Sequence, residues 1–284
     1  PSKEYSQIDI ICSSLKELFN NKEYEDIYRR TMIVRYEHND EITKFFSKMC
    51  HARVIWGGDA TVNSIRQYKI PERSTEVVFG DRYSIAVLNA DEIANITDTE
   101  LSQLAENFYN DTYLMDQNAC SSPHLIIWQG DSKETGKDKF WKAVYKASQK
   151  YELQAIHAVD KYTDLCMRAI NNIFDINDVV RYDNLIYRVE LRVLPSNIDQ
   201  LRGKHGLFYE YDCDDLNNIT HIINEKYQTL SYFGVDNQKL AEYITENHLL
   251  GIDRIVPVGK TLDINVIWDG YDIIGHLSRI IDVI

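Results

Sequence analysis

The chain has 284 residues, 44% of them apolar, with 19 tyrosines and a net charge of −13 spread along its length. That is enough for a sizeable core, in one large domain or two. So acidic a chain is a poor partner for nucleic acid or anionic membranes, and an anionic ligand would need local basic groups or helix N-termini.

In chain order the pattern alternates helix and strand. Residues 6–19, SQIDIICSSLKELF, place Ile8, Ile11, Leu15 and Leu18 on one helical face. TMIVRY (31–36) reads as a short buried strand, DEITKFFSKMC (40–50) as an amphipathic helix and ARVIWGG (52–58) as a strand. DATVNSIRQY follows as a helix opened by Asp59, then the strands TEVVFG (75–80) and YSIAVLN (83–89). Repeated β–α–β units imply a parallel sheet with helices on its faces, an α/β fold. A long helix is predicted from Thr97 to Leu114, with Thr97 and Glu100 spaced as a capping box.

DQNACSSPH (116–124) then leads into a buried strand, PHLIIWQG. Helices follow near KDKFWKAVYKASQKY (137–151) and AVDKYTDLCMRAINNIF (158–174). VVRYDNLIYRVEL reads as a hairpin turning at Asp183–Asn184. The strands GLFYEY and TLSYFG bracket a predicted helix, DDLNNITHIINEKY (214–227). A last helix, NQKLAEYITEN, precedes a loop-rich segment at 251–270. A domain change is expected near Ala90–Asp91, giving units 1–90, 91–250 and a C-terminal return segment, 251–284.

The five cysteines, Cys12, Cys50, Cys120, Cys166 and Cys213, are odd in number and show no CxxC spacing. This argues against a disulfide framework and a zinc site, and for a reduced, cytoplasmic protein with no metal. No apolar run approaches the roughly 20 residues of a membrane span, and no signal peptide is read. The first residue is Pro1 rather than methionine, so a piece of a longer protein is expected.

Two stretches carry candidate chemistry. In VIWGGDATVNSI, a strand runs through Gly57 and Gly58 into a helix, whose N-terminus favours an anion and whose glycines admit close approach. The alternative is a plain strand-to-helix turn, with Asp59 as an N-cap whose charge opposes a phosphate. Cys120 sits among the small residues Asn118, Ala119, Ser121 and Ser122, which leave room for a substrate and offer backbone N–H groups to an oxyanion. Thioester chemistry is natural for such a cysteine, and a buried core cysteine is the alternative. Cys12, Cys50 and Cys166 sit in helical patterns, and the acidic run around Cys213 should raise its pKa. His124 is a candidate base for Cys120, and Glu76 and Glu210 are candidate general bases on strands. The other histidines form no ligand spacing.

Taken in order, ARVIWGGDATVNSIR, STEVVFGDRYSIAVLNADEI, DQNACSSPHLIIW, EKYQTLSYFG and GIDRIVPVGKTLDINVIWDGYDIIGHLSR closely resemble the long-chain acyl-CoA (fatty acyl) reductases of the bacterial bioluminescence operon. These belong to the aldehyde dehydrogenase superfamily, and the resemblance corresponds to the C-terminal portion of the family protein. It implies an aldehyde-dehydrogenase-like α/β fold, with part of a Rossmann-type cofactor domain followed by an α/β catalytic domain. Cys120 matches the nucleophile, and Gly57 and Gly58 match the loop over the nicotinamide and pyrophosphate end of NADPH. VVFGDRYSIAV matches the segment that usually reads ELGGKxPxIV, but Val78 stands where the superfamily has its hydrolytic glutamate. The glutamate that holds the nicotinamide ribose has no clear match, and Leu201–Glu210 is where to look.

The implied activity is reduction of a long-chain acyl-CoA, or an acyl group from an acyl-protein synthetase, to the aldehyde used by a luciferase. The implied partners are the synthetase and acyl-transferase subunits of a fatty acid reductase complex, with homo-oligomers common in the superfamily. Three other readings stay open: an oxidising aldehyde dehydrogenase, a cysteine acyl transferase or thioesterase, and a non-catalytic subunit of an acyl-processing complex.

Overall fold

The computed structural model describes residues 6–171 and 175–284. The first part runs α1 (Ser6–Phe19), a 3-10 turn, α2 (Glu25–Arg30), α3 (Asp40–Met49), β1 (Ala52–Trp56), α4 (Asp59–Arg66) and β2 (Thr75–Phe79). The expected strand at 31–36 is absent. No described strand pairs with it, and its apolar residues Met32, Ile33, Val34 and Tyr36 are exposed. An apolar run without a neighbour to complete its hydrogen bonds is not held as a strand.

β1 and β2 pair in parallel as a two-stranded sheet, with Trp56 opposite Phe79. Ile55 and Val78 point to one face, under Val62 and Ile65 of α4. Val77 and Phe79 point to the other, where Trp268 covers them.

After β2 the chain crosses into a second sheet through β3 (Tyr83–Asn89), α5 (Ala90–Asn95), α6 (Asp98–Thr112), β4 (Pro123–Gln129), α7 (Lys133–Ser148) and α8 (Ala155–Ile170). Then come β5 (Ile176–Tyr182), β6 (Ile186–Leu191), β7 (Leu207–Asp212), β8 (Tyr227–Phe233), α9 (Asn237–Glu246) and β9 (Arg254–Pro257). The capping box forms on α6 as expected: Thr97 accepts from the Glu100 N–H, and Glu100 accepts from the Thr97 N–H. The end of the helix expected through Phe174 lies outside the described residues.

The seven strands are ordered β5-β6-β7-β4-β3-β8-β9, all pairs parallel except the β5–β6 hairpin. That hairpin turns where expected, with Asp183 at φ 49°. β3 lies inside the sheet, between β4 and β8, and is buried on both sides. Tyr83, Ile85 and Val87 face one core, and Ala86 and Leu88 face the other, beneath α6 and α7.

Three expectations are corrected here. The sheet changes between Phe79 and Tyr83, so β3 belongs with the later strands and not with the early β–α–β series. The segment expected as a helix at 214–227 forms a 3-10 stretch, Leu216–Ile222. Its asparagines and β-branched residues favour turn and extended geometry over an α-helix. The loop-rich tail contains β9, paired to β8, and a hairpin of β10 (Ile267–Trp268) and β11 (Tyr271–Asp272), followed by α10 (Ile273–His276). Asp269 and Gly270 turn that hairpin at φ 53° and 77°, the left-handed pair of a tight two-residue turn. The hairpin packs on β2, closing the chain's end over its early sheet. No described helix is long and apolar enough to cross a membrane.

Candidate active site

The loop that carries Cys120 begins with a sharp reversal. α6 ends in a 3-10 turn at Tyr113–Met115, and Asp116 and Gln117 then adopt left-handed φ values of 53° and 60°. Non-glycine residues there cost about 1–2 kcal/mol each, so the surroundings must hold them. The buried Gln117 amide donates to Pro123 O (3.2 Å) and Leu207 O (3.0 Å) and accepts from Gly206 N (3.1 Å). It thus ties the loop to the starts of both β4 and β7. Asp116 O accepts from His205 N (3.2 Å), and its carboxylate accepts from the Tyr151 hydroxyl (2.5 Å).

Cys120 itself is half-buried. Ser84 Oγ, on the interior strand β3, donates to its carbonyl (2.7 Å), and Ser122 Oγ donates to Asp111 O (2.7 Å). The thiol faces Gly80 O at 3.6 Å. Among the described residues the backbone N–H groups of Ala119, Cys120 and Ser121 have no acceptor. Backbone N–H groups without acceptors in the loop of a half-buried cysteine are the kind of donor that acyl transfer uses, because they can receive the charge that develops on a carbonyl oxygen.

The other predicted participants are placed elsewhere. His124 is fully buried and stacks on Tyr83 at 5.2 Å. Burial, with the positive charge of Arg202 nearby, pushes its pKa down to about 3, so it stays neutral inside the core. Glu210 is buried and engaged: Oε1 accepts from the indoles of Trp128 and Trp141, both at 2.7 Å, and Oε2 from Arg188 at 2.8 Å. It is also the single glutamate in 201–210, so that stretch offers no free carboxylate for a ribose. Glu76 is held by Arg53 and Arg66. Burial alone would raise its pKa, but the hydrogen bonds from Arg66 and Arg53 prevail and lower it. Neither glutamate is available as a base.

Cys213 is buried, donates to Asp215 O (3.0 Å), and has its pKa raised by burial first and then by Asp215 and Asp214. Cys50 is the C-cap of α3 and donates to Ser47 O (3.2 Å). Among the described residues no group of three or more His, Cys, Asp and Glu side chains is placed to hold a metal ion.

Gly57 and Gly58 form the turn from β1 into α4. Gly58, not Asp59, is the N-cap. Asp59 and Asp81 exchange hydrogen bonds across this turn: Asp59 N donates to Asp81 Oδ2 (3.2 Å) and Asp81 N to Asp59 Oδ1 (3.1 Å). A Cβ on Gly58 would come within 3.1 Å of Asp81 Oδ2, and one on Gly80 within 2.9 Å of Asp59 Oδ1. The glycines permit this close exchange. The helix N-terminus is thereby occupied by the chain's own carboxylate, which does not suit a pyrophosphate. At the neighbouring strand end Trp56 is 63% exposed. Gln117, Gly80 and Trp56 were not singled out by sequence. All three lie within quoted motifs, but what they touch depends on strands far away in the chain.

The model of the LuxC acyl-CoA reductase family matches residues 4–185. No curated protein is significantly similar in sequence. Among solved structures, aldehyde dehydrogenase 21 from Physcomitrella patens superposes with a TM-score of 0.53 at 11% identity, covering 79% of this chain and 48% of that one. A methylmalonate-semialdehyde dehydrogenase from Sinorhizobium meliloti, described as putative and solved with NAD, gives 0.53 at 11% identity, covering 82% and 51%. Thermus thermophilus 1-pyrroline-5-carboxylate dehydrogenase gives 0.50 at 10% identity, covering 82% and 48%. These likenesses show the aldehyde dehydrogenase fold. The chain spans about half the length of the structures it matches.

Proposed function

The chain belongs to the LuxC acyl-CoA reductase family, and from that premise we propose that it is the nucleophile-bearing portion of an NADPH-dependent long-chain fatty acyl reductase. The observation that carries this reading is the Cys120 loop, where a half-buried cysteine sits among backbone N–H groups that have no acceptor among the described residues.

In the proposed reaction the Cys120 thiolate attacks the carbonyl carbon of an acyl thioester. A new C–S bond forms, the N–H groups of the loop hold the developing oxyanion, and the original C–S bond breaks. The departing thiolate takes a proton and leaves as free thiol. NADPH, when bound, supplies the hydride that reduces the enzyme thioester. Collapse of the reduced adduct then releases the aldehyde and returns Cys120 as thiolate. The turn at Gly57 and Gly58, with the strand end beside it, would receive the nicotinamide end of the cofactor.

Burial of Val78 against Ile55 and Val62 supports reduction over hydrolysis. An apolar side chain at that position cannot activate water, and Glu76 and Glu210 are engaged elsewhere. The proposal extends to long-chain acyl donors, acyl-CoA or an acyl group passed on by synthetase and acyl-transferase subunits, to a homo-oligomer in the cytoplasm, and to aldehyde supply for bioluminescence. The test uses the full-length protein. Loss of NADPH absorbance with a long-chain acyl-CoA, matched mole for mole by aldehyde, supports the reading. Acyl transfer or hydrolysis without NADPH oxidation would overturn it.

A further inference from the structure

Strand β3 slips against both of its neighbours at Ser84. Tyr83 pairs with Tyr227 and Ile85 with Leu230, so Gln228 and Thr229 of β8 face the single residue Ser84. On the other side Ser84 pairs with Pro123 and Ile85 with Leu125, which leaves His124 of β4 as an extra residue. Bulges leave backbone groups unpaired and are over-represented next to active sites. Here the fully buried Ser84 hydroxyl fills the gap. Its Oγ accepts from Thr229 N at 3.1 Å and donates to Cys120 O at 2.7 Å. An N–H only donates and a carbonyl only accepts, so the hydroxyl proton is committed to Cys120.

The carbonyl that Ser84 takes belongs to the peptide with most freedom to turn over. Ser122 N donates to Ala119 O at 3.0 Å, closing a β-turn with Cys120 and Ser121 at its centre. Types I and II of such a turn differ by a flip of the central peptide. Type II needs a positive φ at its third residue, and neither Cys120 nor Ser121 has one, so this turn is type I. Cys120 is then right-handed helical. In that geometry the carbonyl points one way along the local axis, while the next N–H and the Cα–Cβ bond lean the other way. With Cys120 O held by β3, the Ser121 N–H lies on the side of the cysteine's own Cβ, and it has no acceptor among the described residues.

We infer that Ser84 is a positioning residue for the nucleophile. It locks the peptide between Cys120 and Ser121 against a flip, so that the Ser121 N–H serves the oxyanion of the attacked carbonyl. The inference rests on the acylation step of the reductase reading and adds the residue that sets the turn for it. Thr229 N, on the far side of the same hydroxyl, ties that turn to β8.

The test uses full-length wild type with Ser84→Ala, and with Ser84→Thr and Ser84→Val, two side chains of the same shape of which only threonine carries the hydroxyl. Two rates are read at Cys120 by peptide mass spectrometry, per folded molecule as judged by urea unfolding. Alkylation by iodoacetamide, followed across pH, needs the sulfur alone. Acylation by labelled long-chain acyl-CoA needs the sulfur and the oxyanion donors. Ser84→Ala should lose about a hundredfold in acylation, the scale of one oxyanion donor, with the rate and pH profile of alkylation close to wild type. Ser84→Thr should recover most of the acylation that Ser84→Val lacks. A role confined to packing would lower both rates together and leave Thr and Val alike. The inference is overturned by wild-type acylation in Ser84→Ala, by equal losses in the two rates, or by equal acylation of Ser84→Thr and Ser84→Val. Acylation of wild type without NADPH oxidation would overturn the reductase reading and leave the Ser84 comparison standing. A wild type that takes no acyl group would overturn both.

Discussion

The sulfur of Cys120 lies 3.6 Å from the carbonyl oxygen of Gly80. A carbonyl oxygen is an acceptor and not an electrophile, so the sulfur must turn away from Gly80 to reach an acyl carbon. Cys120→Ser should lose covalent acylation and NADPH-linked turnover by at least about a thousandfold, because a hydroxyl without a base is a far weaker nucleophile at neutral pH. The check is intact-protein mass spectrometry after incubation with a long-chain acyl-CoA. Persistence of the acyl adduct in the variant would sink the assignment. In wild type, preloading with acyl-CoA should protect Cys120 alone from iodoacetamide.

Gln117 places that sulfur. Its side chain spans to β4 and β7 while its own backbone is left-handed. Gln117→Ala should cost about 1–3 kcal/mol from the buried groups left unpaired, and it should free the strained reversal to relax. Acylation of Cys120 should fall more steeply than stability, and Gln117→Glu should be no milder, because a carboxylate oxygen would face the two carbonyls to which the amide donates. Urea unfolding and acylation rates on the same preparations separate the two effects. Equal acylation rates in a folded Gln117→Ala would show that the loop is positioned by something else.

His124 tests the missing base. His124→Phe keeps a ring against Tyr83 and removes both nitrogens. The pH profile of Cys120 alkylation should be superimposable on that of wild type. A shift of the profile would restore the histidine to the mechanism.

Sequence alone revealed what is local. The Thr97–Glu100 box is written within one turn of helix, and the β1–α4–β2 unit is visible in apolar spacing. Cys120 stood out because the other cysteines fell in helical or acidic settings. What was hidden depends on distant partners. The residues 31–36 have strand composition but no neighbouring strand. β9 is short, and it exists because β8 offers it an edge. Glu210 reads as an isolated acid on a strand until α7 and β6 bring Trp141 and Arg188 to it. The exposure of Trp56 could not be read either, since alternation says which residues share a face and not which face is covered.

Glu210 is therefore expected to behave as a core residue and not as a base. Glu210→Ala would leave the Arg188 charge and both indole N–H groups unpaired. The loss should be about 3–5 kcal/mol, as for a broken buried ion pair. Glu210→Gln keeps an acceptor for the indoles and should lose less. Thermal unfolding should rank wild type, Gln and Ala in that order, with near-normal acylation per folded molecule. A stable Glu210→Gln without NADPH turnover would reopen a direct role.

Asp111 gives the stability a pH dependence of defined sign. Its buried carboxylate accepts from Gly259 N (2.6 Å) and Thr261 N (3.1 Å), pinning the segment after β9 to α6. Burial nevertheless raises its pKa to about 6, outweighing those hydrogen bonds. A folded-state pKa above the unfolded value favours the protonated fold. The contribution is fully present below the unfolded pKa near 4 and is lost as pH rises through 6. The shift corresponds to on the order of 3 kcal/mol. Asp111→Asn, which cannot ionise, should lack this term. Measured by urea unfolding, wild type should lose stability relative to Asp111→Asn between about pH 4 and 6.5, with the difference flat above that range. A difference independent of pH would mean that folding leaves the Asp111 pKa at its unfolded value, the Gly259 and Thr261 donors fully offsetting burial.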